Sequence, residues 1–146
     1  MSTRSNIGIL NTDGTIDFIY CHFDGYVEGV GAILHEHYLD ESKVRELIAL
    51  GDISSLDVRV QPRGKGHSFS DREAGTTTAY GRDRGEPWEN IQPCKTEPFE
   101  KPVAMHKQEY AYLFLLPTRS RVDGVGDRRW IFCAHDSIWH PLDEAL

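Results

Sequence analysis

One stretch of the chain concentrates side chains that could bind or transform a ligand. It runs from Tyr20 to Tyr38 and opens with Tyr-Cys-His-Phe-Asp-Gly-Tyr. His22 and Asp24 lie two residues apart, and side chains two apart on a strand project from the same face. The pair could therefore serve as general acid and base on one ligand. In the alternative interpretation, His22 packs in a half-buried face and Asp24 caps the following helix.

Three glycines, Gly25, Gly29 and Gly31, follow within this stretch. Their spacing fits neither the Walker nor the dinucleotide phosphate loop, and no Lys-Ser/Thr pair comes after them. Inside a helix, each glycine costs up to ~1 kcal/mol relative to alanine. We expect this cost to be offset by close packing on a sheet or by contact with a ligand.

Charge limits the kind of ligand. The net charge is -7 and the pI is near 5.4, which argues against non-specific binding to nucleic acid over a broad surface. Arginines nevertheless gather in three loop regions, where guanidinium groups could hold a phosphate and nearby aromatic rings could stack on a base. The alternative is a set of solvated turns with local Arg-Asp pairing. The predicted ligand-binding residues are His22, Phe23, Asp24, Tyr26, Arg59, Tyr80, Arg82, Arg84, Arg121 and Arg129.

Other chemistries find little support in the residue pattern. Cys21, Cys94 and Cys133 are widely spaced and odd in number, which favours reduced thiols, two of them buried in apolar strands. No four-ligand set has the spacing of a zinc site, and no serine lies in a nucleophile elbow. We therefore expect neither a metal nor a cofactor.

The first half of the chain predicts a β-hairpin followed by two helices. An Asp13-Gly14 turn separates apolar runs at 6–10 and 16–22, as in a hairpin. Apolar residues then recur at helical spacing over 27–38 and again over a second helix that ends at Gly51. We expect this helix pair to cover one face of a sheet, and 52–56 to be a connector.

The second half predicts more strands. Residues 109–116 alternate in a strand pattern and are expected to form a C-terminal hairpin with 129–135. The intervening predictions are short strands at 58–60 and 76–80, a mobile loop at 63–75, a charged turn at 81–86, an irregular segment at 87–102 and a loop at 118–127. At 146 residues the whole chain, 1–146, is expected to be a single α+β domain. Its mostly antiparallel sheet would be covered by two consecutive helices.

No run of residues has the length and apolarity of a membrane span, and the N-terminus lacks the pattern of a signal peptide. We therefore expect a cytoplasmic protein without a membrane partner.

Several runs together resemble a family of small phage and prophage proteins. They are Tyr20–Tyr26 with Gly29-Val30-Gly31, Gly51–Leu56 and Ala79–Glu86. The resemblance covers the first half well and the second half loosely, and many relatives have Trp and Pro where this chain has Phe23 and Val27. The family is similar to the type 1 Thoeris anti-defence proteins, phage sponges that bind cyclic ADP-ribose-type signals, and in some cases cyclic oligonucleotides, without cleaving them. The resemblance implies a homo-oligomer that sequesters a small anionic nucleotide, and it assigns no individual binding residue.

Two other functions remain open at the level of sequence. In one, His22 and Asp24 cleave a nucleotide as acid and base. In the other, the acidic surface mimics nucleic acid and inhibits a host defence enzyme.

Overall fold

The computed structural model describes residues 2–96, 108–116, 130–134 and 138–146. These residues form one mixed sheet with four α-helices, an α+β architecture. The predicted loop at 118–127 and part of the segment 87–102 lie outside the described residues.

The sheet has eight strands in the order β4-β3-β2-β1-β6-β7-β8, with β5 pairing to β2 beside β3. The strands are β1 Ser5–Leu10, β2 Ile16–Cys21, β3 Ile53–Ser55, β4 Thr78–Ala79, β5 Cys94–Lys95, β6 Tyr110–Leu115, β7 Trp130–Cys133 and β8 Trp139–Pro141. The pairs β1/β2, β2/β5, β3/β4, β6/β7 and β7/β8 are antiparallel, whereas β1/β6 and β2/β3 are parallel. The sheet is therefore mixed. The two neighbours of β1 differ in direction, since β2 is antiparallel to it and β6, from late in the sequence, is parallel.

The predicted N-terminal hairpin is confirmed, with Ile7 opposite Ile19 in the β1/β2 register. The predicted helix over 27–38 is also present. It begins as a π-helical turn, Val27–Gly31, and continues as α1, Ala32–His37. The second helix, α2, spans Glu41–Ala49.

Both helices pack on one face of the sheet, as predicted. Strand residues such as Ile9, Ile19 and Ile53 meet helix residues such as Leu34 and Leu47 in the main core. A smaller cluster lies on the other face and contains Ile16, Ala111, Leu113 and Cys133. The apolar residues on both faces of β2 thus serve two separate cores.

Several predictions for the middle of the chain are wrong. The expected connector contains β3, and the expected charged turn is a helix, α3 Tyr80–Arg84. The expected strand at 58–60 contributes one isolated bridge, from Arg59 to Thr76. Within the segment expected to be irregular lie α4, Trp88–Ile91, and β5. Local composition misled these predictions, because the short elements are held by contacts with residues distant in sequence.

The predicted pairing of the two C-terminal strands is present, since β6 and β7 are antiparallel neighbours, and the sheet then adds β8, followed by a 3-10 helix, Leu142–Ala145. No helix in the described ranges is long and apolar enough to span a membrane.

Candidate functional site

The end of β2 turns sharply at Asp24, whose φ of 58° lies in the left-handed region that few non-glycine residues adopt. The amide of the next residue, Gly25, donates to the Thr3 carbonyl at 2.8 Å. The buried Tyr112 hydroxyl donates to the Gly25 carbonyl at 2.7 Å. The turn is therefore fixed to the start of β1 and to β6.

The glycines after this turn are explained by packing within the protein. A Cβ on Gly29 would lie 2.3 Å from the Asp24 carbonyl oxygen, and one on Gly25 would lie 2.8 Å from the Ser5 Cβ. A Cβ on Gly31 would lie 3.3 Å from both Leu142 Cδ1 and Tyr112 Cε1. Of the two compensations expected for helical glycines, the structure therefore provides close packing.

The His22 side chain is hydrogen-bonded to a residue of β2, the strand that it follows. The Tyr20 hydroxyl lies 2.7 Å from His22 Nδ1, and the His22 ring meets the Phe23 ring edge-on with centroids 4.5 Å apart. Burial raises the pKa of Tyr20, so its phenol stays protonated at neutral pH. Among the described residues, no hydrogen bond joins His22 to Asp24, and the helix has no side-chain cap. The predicted Asp24 side-chain cap is therefore absent, and the two side chains of the predicted acid–base pair are not bonded to each other.

The loop expected to be mobile is tied down by two carboxylates. The first, Glu73, accepts hydrogen bonds from the amides of Arg63 and Gly64 at 2.8 and 2.7 Å and from the Thr76 hydroxyl at 2.5 Å. Arg59 Nη2 lies 3.5 Å from Glu73 and 2.6 Å from the Ala74 carbonyl. The Arg59 guanidinium is thereby engaged within its own loop.

The second carboxylate, Asp83 of α3, is almost completely buried, with its side chain 3% exposed. It accepts from Arg82 Nε at 2.8 Å, from the Ala79 amide at 2.7 Å and from His67 Nε2 at 3.1 Å. Burial opposes ionisation, but the Arg82 hydrogen bond and the other donors prevail and lower the pKa of Asp83. Because His67 Nδ1 accepts the Glu73 amide, its Nε2 carries the proton.

The remaining donors of Arg82 are also occupied. Its Nη1 donates to the Val60 carbonyl at 2.6 Å and its Nη2 to the Thr77 carbonyl at 2.7 Å. This guanidinium joins the loop to α3, and all of its nitrogens point at protein acceptors. A phosphate would have to displace these bonds to reach it.

Two other arginines gather on one aromatic ring. The guanidinium carbons of Arg72 and Arg84 lie 4.8 and 5.1 Å from the centroid of Phe69. The Tyr80 ring lies 5.7 Å from Phe69 and 5.8 Å from the Arg84 guanidinium carbon. Stacked guanidinium groups are oriented but keep their in-plane donors available for an anion.

This cluster adjoins the end of β2. Arg72 Nη2 and Nη1 lie 3.4 and 3.5 Å from the hydroxyls of Ser54 and Ser55, and the Phe23 amide donates to the Ser54 carbonyl at 3.0 Å. Cys21 and Ile53 are partners in the β2/β3 ladder and face the main core, so their successors His22 and Ser54 face away from it. We call the resulting patch the aromatic–arginine surface: His22, Phe23, Ser54, Phe69, Arg72, Tyr80 and Arg84.

The charges of the two arginines are balanced differently. Arg84 pairs with Glu86 at 3.3 Å, with its side chain 51% exposed. Arg72 takes part in none of the ion pairs found in the described part of the chain, and its hydrogen-bond partners are neutral oxygens. Within the described residues, Arg72 is therefore a cation that lies on an aromatic ring and has no carboxylate partner. Such a guanidinium is suited to binding an anion.

Of the predicted site residues, Tyr80 and Arg84 cluster around Phe69, and His22 and Phe23 adjoin this cluster through the contacts of Ser54 with Phe23 and Arg72. The structure leaves Asp24 and Tyr26 in the turn and at the start of the helix, and it engages Arg59 and Arg82 elsewhere. Arg121 and Arg129 lie outside the described residues. Sequence reasoning missed Phe69 and Arg72; the one signal was an aromatic residue between polar neighbours in a loop otherwise rich in glycine and charge.

Within the described ranges, no group of three or more His, Cys, Asp or Glu side chains is arranged to hold a metal ion. No protein-family model, curated protein or solved structure matches this chain.

The stability of the loop should depend on pH through Glu73. Hydrogen bonds from Thr76 and from the amides of Arg63 and Gly64 lower the pKa of Glu73 from 4.5 to about 2. A lowered folded-state pKa adds stability that is complete above the unfolded value and is lost as pH falls towards the folded value. The difference in melting temperature between wild type and Glu73→Gln should therefore be largest above pH 4.5 and shrink towards pH 2. A difference that stays constant over this range would contradict the assignment.

Proposed function

We propose that this chain is a binding protein that sequesters a small anionic nucleotide of the cyclic ADP-ribose type without cleaving it. In this proposal it is a phage protein that acts in the host cytoplasm as an anti-defence sponge, and it assembles as a homo-oligomer. The observation that carries the proposal is the aromatic–arginine surface, in which Arg72 and Arg84 flank Phe69 beside Tyr80.

The chemistry of this surface suits a nucleotide. A base can stack on any exposed aromatic face, and each such contact contributes about 1–3 kcal/mol. Phe23, 40% exposed, and the half-buried Tyr80 provide such faces. The guanidinium of Arg72 can bind two phosphate oxygens that displace the Ser54 and Ser55 hydroxyls, since it is bonded to no carboxylate among the described residues. The overall acidity of the chain keeps such binding local.

The same arrangement favours binding over catalysis. His22 is bonded to the Tyr20 phenol and is not paired with a carboxylate among the described residues. The raised pKa of Tyr20 keeps this phenol protonated at neutral pH and makes it a weaker acid.

Arg72→Ala should weaken binding of cyclic ADP-ribose about 10- to 100-fold. A hydrogen bond to a charged group contributes about 1.5–3 kcal/mol, and every 1.4 kcal/mol is about tenfold in affinity. Isothermal titration calorimetry of wild type and Arg72→Ala measures the change. Arg45→Ala is the matched control, because Arg45 lies on α2 and pairs with Glu41 at 2.8 Å. Equal affinities of wild type and Arg72→Ala would remove this surface from the proposal.

A further inference from the structure

A cavity of about 240 Å³ opens beside the aromatic–arginine surface and is lined by Gly66, His67, Asp71, Arg72 and Glu73. Arg72 thus lies on both, with its guanidinium over Phe69 and its side chain along the cavity wall. A ligand held by Arg72 could extend one of its groups into this cavity.

The cavity holds three acidic or basic side chains whose bonding is already complete. The Glu73 carboxylate accepts from Arg63, Gly64 and Thr76, and both ring nitrogens of His67 are bonded, to Asp83 and to the Glu73 amide. The hydrogen bonds of Arg72 go to neutral oxygens. Only the carboxylate of Asp71 remains to be considered.

Asp71 is exposed, and its hydrogen bonds in the described part of the chain are made by its main chain: its amide donates to the Ser68 hydroxyl oxygen at 3.1 Å and its carbonyl accepts the Ser68 amide at 3.0 Å. Its carboxylate takes part in none of the hydrogen bonds or ion pairs in the described part of the chain. The cavity therefore presents an open carboxylate acceptor next to a guanidinium whose hydrogen bonds go to neutral oxygens that a phosphate can replace.

The Arg72 guanidinium and the Asp71 carboxylate bind ligand groups of opposite kinds. The guanidinium needs a phosphate, whereas the carboxylate needs hydroxyl or amine donors. A nucleotide meets both demands, because each phosphate is linked to a ribose whose hydroxyls can donate to a carboxylate; the same contact occurs in dinucleotide-binding folds. We infer that the cavity is a ribose subsite in which Asp71 accepts from a ribose hydroxyl of the nucleotide that Arg72 holds by its phosphate. This inference rests on the proposed function.

The test uses Asp71→Ala with Glu46→Ala as its control. Each variant removes one exposed carboxylate, and Glu46 lies on α2. Removing negative charge near an anionic ligand would by itself strengthen binding, so the charge effect and the hydrogen bond predict opposite signs. For Asp71→Ala we expect about tenfold weaker binding of cyclic ADP-ribose, measured by calorimetry, and an unchanged melting temperature.

A ligand series completes the test with two cyclic ADP-ribose analogues, each lacking the 2′-hydroxyl of a different ribose. Wild type should bind one analogue about tenfold more weakly, and Asp71→Ala should not discriminate between that analogue and cyclic ADP-ribose. If Asp71→Ala binds cyclic ADP-ribose as tightly as wild type while Arg72→Ala loses it, the ribose subsite is wrong and the proposed function stands. If wild type binds neither cyclic ADP-ribose nor the analogues, the proposed function fails and the subsite fails with it.

Discussion

Gly29→Ala is expected to destabilise the fold by about 2 kcal/mol or more, although alanine is the better helix former. Helix propensity alone would predict a gain of up to ~1 kcal/mol. The new Cβ, however, would lie 2.3 Å from the Asp24 carbonyl oxygen, which accepts the Val30 amide at 2.8 Å. Overpacking against an atom that cannot move freely costs about 1–3 kcal/mol and sometimes more. Neither the new Cβ nor the Asp24 carbonyl oxygen can move without a shift of the backbone. The cost of the clash should therefore exceed the gain in helix propensity.

Chemical denaturation of Gly29→Ala and Gly66→Ala measures this effect against a matched control. A Cβ on Gly66 would meet nothing within 4 Å, and Gly66 is not among the glycines with positive φ. The control should be neutral or stabilised by up to ~1 kcal/mol, because alanine restricts the unfolded chain. A Gly29→Ala protein as stable as wild type would show that this glycine is not required by packing, and a role in approaching a ligand would be favoured again.

Arg82→Ala is expected to cost about 2–3 kcal/mol of folding free energy. The substitution leaves the nearly buried Asp83 carboxylate without its guanidinium and removes the donors to the Val60 and Thr77 carbonyls. Removing one partner of a fully buried ion pair costs about 3–5 kcal/mol. The Arg82 side chain is 23% exposed, so water can replace some of the lost bonds and the cost should be smaller.

The melting temperature of Arg82→Ala, set beside that of Arg45→Ala, checks this expectation. The Arg45 side chain is 41% exposed and pairs with Glu41 within one helix, an interaction of about 0.3–0.5 kcal/mol. Arg82→Lys should recover little, because one ammonium cannot span the same acceptors. If Arg82→Ala melts like wild type and loses only ligand binding, then Arg82 contacts the ligand, as its sequence context first indicated.

The elements that the sequence predicted well are those whose signal is local. The Asp13-Gly14 turn marks the N-terminal hairpin, and Val44, Leu47 and Ile48 mark the buried face of α2. The alternation of Tyr110–Leu115 likewise marks β6. In α2 and β6 the residues that define the element are also the ones buried in the two cores.

The elements that were missed depend on distant partners. The β3 strand is three residues long and exists because Ile53 pairs with Cys21 and with Ala79. The charges of Arg82 and Asp83 predict a turn where the structure has the α3 helix, because both side chains bond to the loop before β4, at Val60 and His67. The parallel β1/β6 pairing joins strands about a hundred residues apart, which no local pattern indicates.

The candidate site shows the same division. Residue type and spacing predict His22, Phe23, Tyr80 and Arg84 as candidates, because they adjoin recognisable elements. Phe69 and Arg72 were missed, since their placement depends on how Glu73 and Asp83 bind the loop around them. The sequence does not distinguish the roles of Arg82 and Arg72. Arg82 bonds the buried Asp83 carboxylate and stabilises the fold, whereas Arg72 bonds only neutral oxygens.

Sequestration is tested most directly by native mass spectrometry of the purified protein incubated with cyclic ADP-ribose, followed by heat release and analysis of the nucleotide. We expect an oligomer that carries the nucleotide and returns it chemically intact. Recovery of a cleaved product would contradict sequestration and would favour catalysis at the same surface. Absence of bound nucleotide, with cyclic oligonucleotides also excluded, would contradict the nucleotide site itself and would favour a protein partner for this acidic chain.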